Sequence, residues 1–183
     1  MRKLTITGVV VILLGIMYAV VPDSANAGYT VVKGGYFSPS SGGGFQNTNM
    51  NGNTYWEIAG GSDFLGFFGV EFGVGYLQSQ NNLIDIYSVP VMLSGKVQLP
   101  ILFFVPYLKA GGGAYYTHGS AKIGLGSDSS WDWGYQAGGG IDFKLGPVIL
   151  GVEAKYISVN TSLGLGNVKL EGVITTGNIG LRF

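Results

Sequence analysis

The sequence predicts an all-β protein, an eight-stranded antiparallel transmembrane β-barrel of the up-and-down type. Three observations predict this fold. Apolar residues recur at every second position in eight segments, the charges within those segments share one face, and Tyr or Trp marks the same end of seven of them. Alternation is the signature of a strand that faces two different environments.

Composition limits the alternatives. The chain has 183 residues, of which 46% are hydrophobic and 11% charged, whereas about a quarter of the residues of a soluble domain are charged. Beyond residue 27 no apolar run reaches the ~20 residues of a spanning helix. The absence of Cys excludes a disulfide scaffold. A net charge of zero provides no basic surface, so we expect no nucleic-acid partner.

The first 27 residues have the order of a secretory signal peptide. Arg2 and Lys3 precede an apolar stretch at 8–21, and Ala25, Asn26 and Ala27 form a small-residue cleavage site. The alternative, an uncleaved anchor, requires a longer apolar core. The sequence therefore predicts a signal peptide at 1–27, export, and a mature barrel domain at 28–183.

Eight segments are predicted strands, each bounded by Gly, Ser, Asn, Asp or Pro. Segment 29–37 is apolar on both faces, and 54–60 alternates around Trp56. Segment 68–76 alternates most clearly, with Phe72 and Val74 interleaved with Glu71 and Gly73. Segment 85–99 repeats this pattern. The remaining predicted strands are 104–117, 133–145, 148–157 and 172–183.

The charged face distinguishes a membrane barrel from a soluble sandwich. In a sandwich the apolar face would form the core and the charges would meet water. In a membrane barrel the apolar face meets lipid, and the charges pair inside the lumen. The predicted lumen charge network consists of Lys33, Glu57, Glu71, Lys96, Lys109, Asp142, Lys144, Glu153, Lys155 and Arg182.

Aromatic residues favour the membrane barrel. Tyr and Trp rings are suited to a membrane interface, since the ring meets acyl chains while its OH or NH meets headgroups and water. The predicted outer aromatic belt consists of Tyr36, Trp56, Tyr76, Tyr87, Tyr116, Tyr135 and Tyr156. The predicted inner rim consists of Phe68, Leu99, Phe143 and Phe183. A soluble core would give no preference for Tyr at one end.

The connections alternate in length. Segments 38–53, 78–84, 117–132 and 158–171 are polar and predicted as outer loops, whereas 100–103 and 146–147 are tight turns. Short periplasmic turns and longer outer loops are typical of such barrels. Segment 60–66 is longer than a typical periplasmic turn.

An eight-stranded barrel is just wide enough for side chains to fill. We therefore predict a filled polar lumen. Glycines on the inward face leave room for rings from neighbouring positions, or alternatively for water and a narrow passage. These glycines are Gly69, Gly73, Gly75, Gly111, Gly113, Gly138 and Gly140. A narrow porin-like channel for small or hydrophobic solutes is thus the second hypothesis.

Several stretches resemble the outer-membrane protein β-barrel domain family, the small OmpA/OmpX-like barrels. They are residues 33–39, 71–76, 89–91, 106–113 and 179–183. The resemblance implies a bacterial cell-surface or structural role in the outer membrane, with membrane lipids as partners. It also implies that Ile179, Leu181 and Phe183 match the signal read by the barrel-assembly machinery.

A lipid-modifying enzyme is the third hypothesis. His118 and Ser120 form an H-x-S pair and Asp132 follows, an arrangement that resembles the His, Ser and Glu of the outer-membrane lipid A deacylase. In this chain, unlike in the deacylase, the acid is Asp rather than Glu, and two further predicted strands follow the motif. The sequence contains no phosphate-binding loop, dinucleotide fingerprint or zinc motif. We expect no cofactor, metal or enzymatic activity, and outer loops that carry recognition of an external ligand not identified by the sequence.

Overall fold

The computed structural model describes residues 27–40, 51–80, 84–121, 127–163 and 166–183. The predicted signal peptide lies outside them except for Ala27, which begins the first strand. The described residues contain no helix long and apolar enough to span a membrane.

Eight antiparallel strands close into a barrel in which each strand pairs with its neighbours in the chain and the last pairs with the first. The fold prediction is confirmed. The strands are β1 (Ala27–Pro39), β2 (Asn51–Phe64), β3 (Phe68–Gln80), β4 (Ile84–Gln98), β5 (Phe104–Ala121), β6 (Ser127–Leu145), β7 (Val148–Leu163) and β8 (Gly166–Arg182).

The pairing register sets the tilt of the strands. Moving from paired residue to paired residue once around the barrel, starting at Gly28, leads back to β1 at Ser38, ten positions further along. This stagger in an eight-stranded barrel tilts the strands by about 40° from the barrel axis. Each residue therefore advances about 2.5 Å along the axis, since the rise along a strand is about 3.3 Å.

The two faces of the strands are sorted as in a membrane barrel. Val152 on the outward face is 57% exposed, whereas Glu71 on the inward face is 6% exposed. Lys96 is also buried, while Leu93 and Val97 beside it point outward and are exposed. A soluble sandwich would show the opposite arrangement.

The strands extend beyond the predicted segments, mainly at the end that carries the longer connections, here called the loop end. The prediction of a loop over 117–132 was wrong, because β5 continues to Ala121 and β6 begins at Ser127. Likewise β7 and β8 cover most of 158–171. Gly, Asn and Asp have low strand propensity, but pairing with a neighbouring strand overrides that preference.

At the opposite end, here called the turn end, one connection is shorter than predicted. β2 continues to Phe64, so the predicted turn at 60–66 is reduced to Leu65, Gly66 and Phe67. The extension matters for the interior, because it brings Asp63 onto the inward face of a strand.

Candidate functional site in the barrel interior

Three lysines and three glutamates meet at the middle of the barrel. The lysines Lys33, Lys109 and Lys155 project inward from β1, β5 and β7. The glutamates project inward from β2, β3 and β7. The members of this central cluster are Lys33, Glu57, Glu71, Lys109, Glu153 and Lys155, and all are buried. Successive side chains of a strand point to opposite faces, and each of these six residues lies at an inward-facing position of its strand.

Ion pairs join the cluster across the lumen. Lys33 Nζ lies 2.6 Å from Glu71 Oε1, 3.0 Å from Glu57 Oε1 and 3.1 Å from Glu153 Oε2. Lys109 Nζ lies 2.9 Å from Glu71 Oε1 and 2.8 Å from Glu153 Oε1. Lys155 pairs with Glu57. Equal numbers of cations and anions compensate one another where water is excluded, which is the condition under which buried charges are tolerated.

Tyrosines complete the coordination of the glutamates. Tyr29 donates a hydrogen bond to Glu71 Oε2 at 3.1 Å, and Tyr107 donates one to Glu153 Oε2 at 2.8 Å. Tyr55 donates to Glu57 and accepts a bond from Lys155 at 3.0 Å. Sequence reasoning missed these tyrosines. The signal was present as Tyr at inward positions, since a buried phenol needs a polar partner.

Two further pairs lie between the central cluster and the turn end. Lys96 Nζ lies 3.0 Å from Asp142 Oδ2 and 4.0 Å from the centre of the Tyr107 ring. Lys144 Nζ lies 2.9 Å from Asp63 Oδ2. Asp63 was missed because it was assigned to a turn.

One predicted member of the charge network is placed differently. Arg182 is exposed at the mouth of the turn end, and its side chain forms no ion pair with a described residue. It lies at the last position of β8, where the lumen opens to solvent, so it needs no buried counter-charge.

An apolar plug fills the lumen between the central cluster and the loop end. All of its members are buried: Phe37, Tyr55, Leu77, Met92, Tyr115, Ile157, Val159, Leu170 and Ile174. On β1, β3 and β5 one residue of the plug lies nearer the loop end than the charged residue of the central cluster on the same strand. On β1, for example, Phe37 lies nearer the loop end than Lys33. The lumen is filled, and in this half the apolar side chains pack beside buried polar ones such as Asn53, Ser88 and Thr117, so the filling is mixed rather than wholly polar. Segment 29–37 is apolar on both faces because Phe37 belongs to the plug and Tyr29 and Val31 belong to a second buried cluster with Ala59 and Ile149.

Glycines accommodate the rings of the interior. A Cβ atom added at Gly140 would lie 2.6 Å from the Tyr107 hydroxyl, and one at Gly75 would lie 2.9 Å from the Tyr55 hydroxyl. Both distances are shorter than a van der Waals contact. These two glycines were predicted to leave space either for rings or for a passage, and the structure places rings there.

The residues of the predicted outer belt all occupy outward positions. Tyr36, Trp56, Tyr76, Tyr116 and Tyr135 are exposed, and Tyr87 and Tyr156 are partly exposed. The structure adds two exposed residues, Trp131, whose ring centre lies 5.2 Å from that of Tyr116, and Trp133. Trp131 was missed because it was assigned to a loop. The residues of the inner rim, Phe68, Leu99, Phe143 and Phe183, are exposed as well.

The proposed catalytic residues do not share a face. His118 is at an outward position of β5, directly opposite Ser129, whereas Asp132 lies opposite Tyr115 at an inward position of β6 and accepts a hydrogen bond from Ser130. Alternation therefore directs the His and Asp side chains to opposite sides of the barrel wall. Nothing is described of the Ser120 side chain. No group of three or more His, Asp or Glu in the described part of the chain is placed to hold a metal ion.

Comparison with known proteins reveals similarity in structure. No protein-family model matches the chain, and no curated protein matches it. Among solved structures, Neisserial surface protein A (NspA) superposes with a TM-score of 0.54 at 16% identity, covering 87% of this chain and 96% of NspA. The N-terminal β-barrel domain of Pseudomonas aeruginosa OprF gives a TM-score of 0.57 at 12% identity, covering 86% and 98%.

The attachment invasion locus protein Ail of Yersinia pestis gives a TM-score of 0.54 at 15% identity, covering 87% of this chain and 99% of Ail. At these identities the comparisons address the fold. Together with the closed sheet and the outward apolar face, they show that the chain has the fold of the small eight-stranded outer-membrane β-barrels.

Proposed function

We propose that the protein is a structural or surface-interaction barrel of the outer membrane, and that its specificity resides at the loop end. The observation that carries this proposal is the filled lumen. The apolar plug lies directly over the central cluster, so a solute entering from the loop end meets buried side chains rather than a path. A binding function on the outer surface is compatible with such an interior, whereas passive transport is not.

The recognition surface is then formed by the connections at the loop end. Its main parts are the β1–β2 connection, residues 40–50, and the β5–β6 connection, residues 122–126, of which residues 41–50 and 122–126 lie outside the described residues. Loops carried on a rigid scaffold commonly hold binding residues. Two structural neighbours are named as a surface protein and an attachment invasion locus protein, which supports a role at the surface.

Planar-bilayer conductance tests this function. The purified barrel should give no stable single-channel steps. Reproducible steps from the unsubstituted barrel would support the porin-like alternative instead.

We also propose that the chain is exported by cleavage after Ala27. Cleavage would leave β1 with nearly all of its pairing, since Gly28 still accepts a hydrogen bond from the Phe183 backbone N–H at 2.9 Å. N-terminal sequencing of the membrane-associated protein should then begin at Gly28. Retention of Met1 in the mature protein would contradict this proposal.

Recognition by the barrel-assembly machinery is a third part of the proposal. Ile179, Leu181 and Phe183 lie exposed at alternate outward positions of the last strand and just after it, where another protein could read them before the barrel closes. Replacing Phe183 by Ser should slow assembly in cells several-fold but change the melting temperature of the purified barrel little. The matched control is Leu150→Ser, which removes a lipid-facing side chain outside this segment.

A further inference from the structure

A cavity of about 510 Å³ opens at the mouth of the turn end. Sites for small ligands have volumes of about 300–1,000 Å³. The wall of this cavity is formed by the three short turns of the barrel together with Arg182, the last residue of β8. Polar and apolar side chains both line it. The mouth therefore has the size and the mixed lining of a small-ligand site.

The lining carries one positive charge that has no partner. Lys144 Nζ lies 2.9 Å from Asp63 Oδ2, so these two residues neutralise each other. Arg182 is exposed in the same mouth, and its guanidinium forms no ion pair with a described residue. A guanidinium presents several N–H donors in one plane, an arrangement that matches the two oxygens of a carboxylate. The charge of the mouth therefore favours an organic anion, and its geometry favours a carboxylate.

Two strained leucines form much of the apolar part of the lining. Leu65 in the β2–β3 turn is 86% exposed, and Leu102 in the β4–β5 turn is 91% exposed. Their φ values of 52° and 57° lie in the left-handed region, which Gly adopts far more easily than Leu. Gly146 of the third short turn, which also lines the cavity, has a φ of 63°. Strained residues of this kind cluster at ligand sites, where the side chain has a use.

The lining also contains a buried acceptor that has no donor. Gln98 is 4% exposed, and its Nε2 donates a hydrogen bond to the Gly66 carbonyl oxygen at 3.2 Å. This bond orients the side-chain amide and leaves Gln98 Oε1 without a hydrogen-bond partner among the described residues. A buried acceptor without a partner costs free energy, so an N–H group brought by a ligand would contribute to binding.

We propose that the mouth of the turn end binds the C-terminal residue of a peptide whose last side chain is apolar. The carboxylate of the peptide pairs with Arg182, its apolar side chain lies between Leu65 and Leu102, and its N–H group donates to Gln98 Oε1. An inorganic anion would use only the free guanidinium, and an uncharged apolar molecule only the leucines. The site lies at the opposite end from the recognition surface proposed for the loop end, so neither assignment depends on the other.

A titration followed by nuclear magnetic resonance tests the ligand. The isotope-labelled barrel in lipid nanodiscs is titrated with N-acetyl-leucine, and the backbone signals of Gly66, Gly146 and Arg182 should shift in a saturable way. N-acetyl-leucinamide, which lacks the carboxylate, should bind several-fold more weakly. Isocaproate, which keeps the carboxylate and the apolar group but has no N–H, should also bind several-fold more weakly. Absence of saturable shifts at these positions, or equal affinity for either analogue, would overturn the proposal.

Variants separate binding from stability. Leu102→Gly removes the side chain and relieves the backbone, so the affinity for N-acetyl-leucine should fall several-fold while the melting temperature changes little. Arg182→Gln should weaken binding of N-acetyl-leucine but not of N-acetyl-leucinamide. The matched control is Leu99→Ala, which shortens an exposed leucine of the inner rim outside the cavity and should leave the affinity unchanged. Unchanged affinity of the Leu102 or Arg182 variant, or an equal loss in the control, would contradict the site.

Discussion

Lys33 Nζ and Glu71 Oε1 are 2.6 Å apart although their strands, β1 and β3, are not neighbours. The pair therefore crosses the lumen. Glu71 receives a second lysine, Lys109, from β5. One carboxylate thus links three strands through the interior, in addition to the hydrogen bonds that join each strand to the next around the wall.

This linkage predicts a large effect of Glu71→Ala on stability. Both lysines would lose a partner in the buried interior, and breaking a buried pair costs about 3–5 kcal/mol. The melting temperature in detergent, followed by circular dichroism, should fall clearly. Glu171→Ala is the matched control, since Glu171 is only partly buried and accepts a hydrogen bond from Ser158. An unchanged melt of the Glu71 variant would mean that the centre of the lumen is hydrated.

Packing of the plug against glycine predicts a second stability difference. A Cβ at Gly134 would lie 2.7 Å from both a ring carbon of Tyr115 and a methyl carbon of Val159, whereas a Cβ at Gly95 would meet nothing within 4 Å. Gly134→Ala should therefore destabilise the barrel by about 1–3 kcal/mol through overpacking. Gly95→Ala should be close to neutral. Equal urea midpoints for the two variants would indicate that the plug is loosely packed.

Fluorescence can locate the belt in the membrane. All three tryptophans, Trp56, Trp131 and Trp133, are exposed on the outward face at the loop end. Phospholipids brominated near the headgroup should quench their emission more strongly than phospholipids brominated near the end of the acyl chain, because interfacial rings lie at the acyl boundary. Stronger quenching by the deeper bromines would place this end of the barrel inside the hydrocarbon.

Orientation can be tested in cells with introduced cysteines. A Ser129→Cys variant should react with a membrane-impermeant maleimide in intact cells, since Ser129 is exposed beyond the belt at the loop end. An Arg182→Cys variant should react only after the outer membrane is permeabilised, since Arg182 lies at the mouth of the turn end. The reverse pattern would mean that the turn end faces the outside.

The positions of His118 and Asp132 predict that no ester hydrolysis depends on this histidine. A general base must lie within hydrogen-bond reach of the proton it removes and be oriented by its acid. His118→Ala and the unsubstituted protein should therefore hydrolyse lipid esters at the same background rate. A loss of activity in the variant would show that His118 acts with another acid.

The strand pattern and the charged face were readable from the sequence because alternation depends only on which side meets lipid. Phe72 and Val74 against Glu71 and Gly73 already distinguish the two sides. Strand ends were less predictable. Ser and Asp from 127 to 130 indicate a loop, but pairing with β5 holds them in a strand. The misplacement of Asp63 had the same cause.

The number of strands, the direction of each side chain and the aromatic belt can be read from the residues alone, because they follow from a period of two within single segments. Which inward residues meet depends on the closed barrel, since a contact such as Lys33 with Glu71 is set by the stagger accumulated around the whole sheet. The stagger also decided that Phe37, Tyr115 and Ile157 form one plug. No single strand contains this information, because the pairing register belongs to the closed sheet as a whole.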